Sequence, residues 1–276
     1  RKAVRKLVKE GADFIKIMGS GGGTYVTDNR RPSFDVEELK AIVNETHRHG
    51  KSCTVHCIAT KSIENALDAG VDCIEHYEFV EFDYKRRLDP RIGERMIEQK
   101  VYLSPTIQTG YRKLEQMRML AEERPLTQAE IDQLSFYEWK QEGQIYITGK
   151  LYEMGATNFL MGTDAIAEFG DYGIGLKLMV DGGLSNEAAL FAATRNTAEA
   201  LGIMEKTGTL EVGKDADITV VDGNPMKDIE DVQKVTQVIK SGFPLPMEGL
   251  GLFPHGPGAA VVRSKSLPKN PQVIKN

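Results

Sequence analysis

The sequence lacks most of the features that would assign a function at once. Its three cysteines, Cys53, Cys57 and Cys73, fall in predicted strands without CxxC spacing, so they read as buried thiols and not as a disulfide framework. No apolar run approaches the roughly 20 residues needed to cross a bilayer, and no apolar signal-peptide core opens the chain, so no membrane partner is expected. A basic excess is also missing. Lys and Arg number 35 against 40 Asp and Glu, for a net charge of -5, and the basic runs at 1–9 and 85–87 are short enough to be solvated helix surface. That balance argues against nucleic acid as a partner. A dinucleotide-binding GxGxxG turn is not supported, because Gly19, Gly21 and Gly22 lead into TYVTDNRRP, which does not open a helix.

What remains is a globular composition, 41% hydrophobic over 276 residues, enough for one large domain or a large and a small one. Residue 1 is Arg, and RKAVRKLVKEGADFIKI opens inside an amphipathic helix already feeding a strand, so upstream sequence is expected to precede it. To about residue 205, helical periodicity alternates with short apolar runs at 14–18, 52–56, 71–76, 101–106 and 158–163. Such alternation signals repeated β/α units and a parallel sheet. Ser33 or Asp35 stands where a helix N-cap is needed, and Gly70 where the helix over 61–69 must end. The connection 107–154, which carries Trp139, reads as helical: either a lid or specificity element, or a thickened outer helical layer. A further helix is expected over 188–201. Beyond it, turn residues separate β-prone runs at 216–221 and 236–240, and a Pro- and Gly-rich tail begins at 243. The expected division is 1–205, 206–245 for a small β domain, and 246–276 for the tail.

The titratable residues Lys16, His56, His76 and Asp164 each lie in or just beyond a predicted strand. In a parallel barrel the C-terminal strand ends converge on one face, where four such groups would share a small volume. Period-2 alternation turns Phe14 and Lys16, Thr54 and His56, and Ile74 and His76 to that side, leaving Ile15, Ile17, Cys53, Val55 and Cys57 to face the helices. Two imidazoles and a carboxylate suit zinc or a similar divalent metal. An ammonium does not, so Lys16 must be deprotonated, paired elsewhere, or converted by carbon dioxide into a carbamate that can bridge two ions. Asp164 would then serve as ligand and as proton acceptor. The loop after the first strand, from Gly19 to Gly23, can bring backbone close to a ligand, and Tyr25, Arg30 and Arg31 could grip a substrate carboxylate, the arginines with a bidentate fork.

The segments FIKIMGSGGG, VHCIATKSIENALDAGVDCIEH, FLMGTDA and TGTLEVGKDADITVVDGNPMKDI resemble the amidohydrolase superfamily, over roughly residues 1 to 245. The branch they resemble contains Xaa-Pro dipeptidase-like, imidazolonepropionase-related and ochratoxinase-like enzymes. The resemblance implies an α/β fold, a (β/α)8 TIM-type barrel with strands 4 to 8 in this chain, and two divalent ions, zinc being the first candidate. It implies that Lys16 is the carboxylated bridging lysine of strand 4, His56 and His76 the ligands of strands 5 and 6, and Asp164 the aspartate of strand 8. Two departures stand out. The superfamily's strand-1 His-x-His pair has no counterpart, since His47 and His49 have the spacing but fall at a helix end. Strands 1 to 3 are therefore expected to lie outside this chain. Relatives often read His-x-His-Gly or His-Ala-Tyr-Gly on strand 5, where this chain reads His56-Cys57-Ile58-Ala59. Ile58 then stands where a polar residue contacts substrate.

The expected activity is hydrolysis of an amide bond, in a dipeptide or N-acyl amino acid, by metal-activated hydroxide. Cyclic amides, ureas and carbamates are the alternative substrates, because fold and metal do not fix the leaving group. A non-catalytic remnant that binds a partner is the alternative of another class. The expected partner is a small molecule. Self-association and compartment stay open, with the cytoplasm as the default.

Overall fold

A computed structural model describes residues 1–22, 27–164 and 172–247. The apolar runs form the strands β1 (Phe14–Met18), β2 (Ser52–Ala59), β3 (Cys73–Val80) and β4 (Tyr102–Ser104), hydrogen-bonded in that order as a parallel sheet. Parallel neighbours need long crossovers, and here each is a helix. Helix α1 (Lys2–Lys9) leads into β1, and α2 (Val36–Arg48), α3 (Thr60–Ala69) and α4 (Pro90–Glu98) supply the three connections. Asp35, not Ser33, caps α2. Its carboxylate accepts from the Glu38 N–H at 2.8 Å, and the Glu38 side chain accepts from the Asp35 N–H at 3.0 Å, a reciprocal capping box. Gly70 ends α3 at φ 76°, the left-handed position expected of it.

The expected strand at 158–163 is present only as a bridging segment. Leu103 N–H donates to Asn158 O, Leu160 N–H donates to Leu103 O, and Phe159 pairs with Leu103 in parallel. Pairing stops before Asp164, whose φ of 45° takes the backbone out of the extended region.

The insertion at 107–154 is helical, as α5 (Tyr111–Glu123) and α6 (Gln128–Glu153). Helices α7 (Tyr172–Asp181), α8 (Asn186–Ala193) and α9 (Arg195–Ala200) follow. The single helix expected over 188–201 is broken at Thr194, at φ -127° and ψ -90°, with its hydroxyl donating to Leu190 O at 2.7 Å. The two β-prone runs form β5 (Ile218–Val221) and β6 (Val235–Lys240), and with β7 (Phe243–Pro244), which was not expected, they make a small antiparallel sheet. The tail from 248 lies outside the described residues.

The chain divides into two compact units, Arg1–Ile107 with Ile147–Gly162, and Gln108–Tyr146 with Thr163–Asn276. In the first, Ile15, Ile17, Val55, Ile74, Ile63, Ala66 and Phe159 are buried, while Phe14, Lys16 and Met18 occupy the other face of β1. No helix of the described residues is long and apolar enough to cross a membrane.

The register corrects one expectation. Parallel partners share a face, and Thr54 pairs with Cys73, Val55 with Ile74, and His56 with Glu75. Ile74 therefore faces the helices with Val55, and Glu75 shares the inner face with Lys16 and His56. Strict alternation would put His76 with Ile74, away from His56. It does not hold, because His76, Tyr77 and Phe79 have φ of 68°, 35° and 51°, and the β2–β3 ladder shifts register between Cys57 and Ala59. The irregular backbone returns His76 to the side of His56.

Candidate metal centre

His56 and His76, on adjacent strands, meet edge to face with ring centroids 4.5 Å apart, and both are buried. Burial pushes both imidazoles towards the neutral form. For His76, burial and then the neighbouring His56 hold the ring down at about 4. His76 Nδ1 lies 2.6 Å from Thr106 Oγ1, which fixes the ring plane. His56 Nε2 lies 3.2 Å from Gly21 O, so the glycine loop after β1 reaches the imidazole. That approach is possible only without side chains. A Cβ on Gly19 would sit 2.5 Å from Val55 Cγ1 and 2.9 Å from His56 O, and one on Gly21 would sit 2.5 Å from Asp28 O.

Lys16 is paired. Its ammonium contacts the Glu75 carboxylate, which also accepts from Thr54 Oγ1 at 3.0 Å. Among the outcomes open to Lys16, this structure displays pairing to a carboxylate. Lys16 and Thr54 are register partners, as are His56 and Glu75, so the pair spans two successive layers of the inner face. A backbone in the left-handed region at His76, Tyr77, Phe79 and Thr106 stores strain where function concentrates.

The remaining expected site residues are distributed otherwise. Asp164 follows the bridging segment, in the second compact unit, with φ 45°. Tyr25 lies outside the described residues. Arg30 spends its fork on Asp28, with Nε to Oδ1 at 2.8 Å and Nη2 to Oδ2 at 3.1 Å, and its guanidinium lies 4.7 Å and 4.4 Å from the rings of Phe82 and Tyr84. Arg31 is more open, with a single 3.4 Å approach to Asp28 and the Phe82 ring at 4.8 Å. Ile58 is buried, its N–H donating to Ser20 Oγ at 2.9 Å.

Sequence reasoning missed Glu75 and the buried Glu78–Arg86 ion pair just beyond it. The available signal was EHYEFV, two carboxylates flanking the candidate ligand inside an otherwise apolar strand.

The amidohydrolase family pattern matches residues 1–244. The chain belongs to the amidohydrolase family. Among amidohydrolase relatives, ochratoxinase of Aspergillus niger is 30% identical over 269 residues, covering 94% of this chain and 51% of that protein. The crystal structure of a Xaa-Pro dipeptidase with bound methionine in the active site matches with TM-score 0.74 and 32% identity, over 88% of this chain and 57% of the other. A putative prolidase from Bifidobacterium longum matches with TM-score 0.69 and 28% identity, over 88% and 58%. The chain spans about half the length of the curated relatives it matches. Membership implies a TIM-type fold, and the four parallel strands joined by helices agree with it.

The donor chemistry at His56 and His76 fits a divalent metal. Two imidazoles held towards the neutral form stand together, a ligand type that zinc-class ions accept, whereas Lys16, as an ammonium paired to Glu75, offers no lone pair in this state.

Proposed function

We propose that this amidohydrolase is a divalent-metal enzyme that cleaves an amide bond of a dipeptide or N-acyl amino acid. Residues 1–205 would supply part of a closed (β/α)8 barrel, and 206–245 the small β domain. The observation that carries the reading is the pair of buried, neutral imidazoles on adjacent parallel strands, beside a lysine within reach of the same volume. His56 and His76 would hold the ion, zinc being the first candidate, with Lys16 as a carbamate and Asp164 completing the set. When bound, such an ion polarises the scissile carbonyl and makes water a competent nucleophile at neutral pH.

The chain's own residues define the rest. Thr106 holds the His76 ring in one plane, and Gly21 O holds His56. Lys16 must exchange its contact with Glu75 before it can offer anything but a cation, and Thr54 keeps Glu75 oriented once that contact opens. Asp164 is the proposed proton acceptor, passing the proton to the leaving amine. A substrate carboxylate would meet Arg31 before Arg30, which would have to release Asp28, and Tyr25 stays a candidate by its place in the sequence. The likeness to a Xaa-Pro dipeptidase, solved with methionine bound in its active site, motivates the choice of a dipeptide or acylated amino acid over other amides.

Zinc-supplemented protein assayed against dipeptides, N-acyl amino acids, cyclic amides and aryl ureas tests the reading. Release of a free amino acid from the first two groups supports it. Turnover confined to a cyclic amide or a urea would overturn the substrate class and leave the carbon–nitrogen hydrolase standing.

A further inference from the structure

A second group of ligand atoms gathers at the other end of the central strands β2 and β3. His47 lies in the last turn of α2, Cys53 is the second residue of β2, and Asp72 immediately precedes β3, so all three stand at the N-terminal ends of the strands. His47 Nε2 is 2.8 Å from Asp72 Oδ2, and Cys53 Sγ is 3.3 Å from the same oxygen. One ligand atom from each residue lies within 4.8 Å of the other two, and it is the group of three such residues found among the described ones. Three donors around one tetrahedral ion with bonds of about 2.0 to 2.3 Å stand roughly 3 to 4 Å apart, so small adjustments suffice here.

We propose that His47, Cys53 and Asp72 form a second divalent-metal site, of the zinc class, separate from the centre at Lys16, His56 and His76.

Thiolate, imidazole and carboxylate are ligands that zinc accepts together, and three protein ligands leave a fourth position for water. Access comes from one side only. The side chains of His47 and Asp72 are 42% and 38% exposed, whereas Cys53 is buried beneath them. A groove of about 540 Å³, with Asp72, Gly70, Lys100 and Tyr102 in its wall, opens beside the carboxylate. On binding, the S–H bond of Cys53 breaks, the sulfur pair goes to the ion and the proton leaves to solvent past His47. The two positive charges of the ion are then met by the thiolate and by Asp72, and neutral His47 donates its ring nitrogen pair. The thiol holds its proton in the metal-free chain, where burial pushes it up to about 12, so proton release accompanies loading. In the metal-free chain, Asp72 accepts from the Cys53 N–H at 2.7 Å, which holds the carboxylate over the sulfur. That preorganisation serves either state.

Cobalt(II) titration tests this site without an activity assay. A sulfur-to-cobalt charge-transfer band in the near ultraviolet, saturating at one equivalent and lost in Cys53→Ser, is the expected result, because the proposed ligands of the other centre include no sulfur. His47→Ala changes an exposed side chain and should weaken cobalt binding at this site at least about tenfold while leaving the fold intact. No band in the native chain, or a band of unchanged intensity and affinity in folded His47→Ala, overturns the site. So does a band that persists in Cys53→Ser.

Discussion

The titration of His76 gives the residue scale its sharpest test. Its imidazole is held down at about 4 by burial and by His56, against about 6.5 for an exposed imidazole. With the folded value below the unfolded one, falling pH protonates the unfolded chain first. The stability this group contributes is therefore present above about pH 6.5 and is lost as pH falls towards about 4. In metal-free protein the loss should be on the order of 3 kcal/mol across that window, read from urea unfolding at a series of pH values. His76→Gln should flatten the slope, and an unchanged slope would show that other groups carry it. The Glu78–Arg86 pair makes a second case. Both side chains are almost fully enclosed, so removing one takes a close opposite charge away from the other in a buried setting. Arg86→Met should cost roughly 3 to 5 kcal/mol, and Arg86→Met with Glu78→Leu clearly less, by the same unfolding measurement.

Among the elements, the loop after β1 is tied to the loop after β3 chiefly by Arg30, with Arg31 also against the Phe82 ring. Arg30 is forked onto Asp28, lies against the rings of Phe82 and Tyr84, and donates to Phe82 O at 3.4 Å. Arg30→Lys keeps the charge but loses the planar fork. Amide exchange around 27–33 and 81–87 should then quicken together, whereas quickening of one segment alone would mean that Arg30 joins nothing. Helix α2 offers a simpler measurement: Asp35→Ala removes the capping box and should cost about 1 kcal/mol in thermal or urea unfolding. These elements differ in how far they could be read from sequence. β1, β2, α2 and α3 were legible because apolar runs and caps mark their ends, with Gly70 where a left-handed residue is required. The inner face of β3 was not. Which residue of β3 faces His56 depends on the parallel register, which no local pattern encodes, and left-handed residues at 76, 77 and 79 defeat any count by twos. Lys16, His56 and His76 were found because titratable groups inside apolar strands are costly without a purpose. Glu75 was missed with the register. His47, Cys53 and Asp72 come from three separate elements, and only the folded chain brings them together.

For the whole molecule, the chain belongs to the amidohydrolase family, and His56 and His76 are proposed to hold a divalent ion on which its chemistry depends. An ion that binds the folded state alone raises the unfolding temperature with concentration. Zinc should therefore stabilise the native chain, and the double variant His56→Ala, His76→Ala should lose a large part of that shift, keeping only what the His47 site supplies. The most direct test of the central claim is the rate of carbon–nitrogen bond hydrolysis by the zinc-supplemented protein, native against His76→Ala, across dipeptides, N-acyl amino acids, cyclic amides and ureas. The expected result is turnover of at least one class by the native chain and a loss of about a hundredfold or more in the variant. Equal rates in the two proteins, or no cleavage of any substrate by the native one, would contradict it.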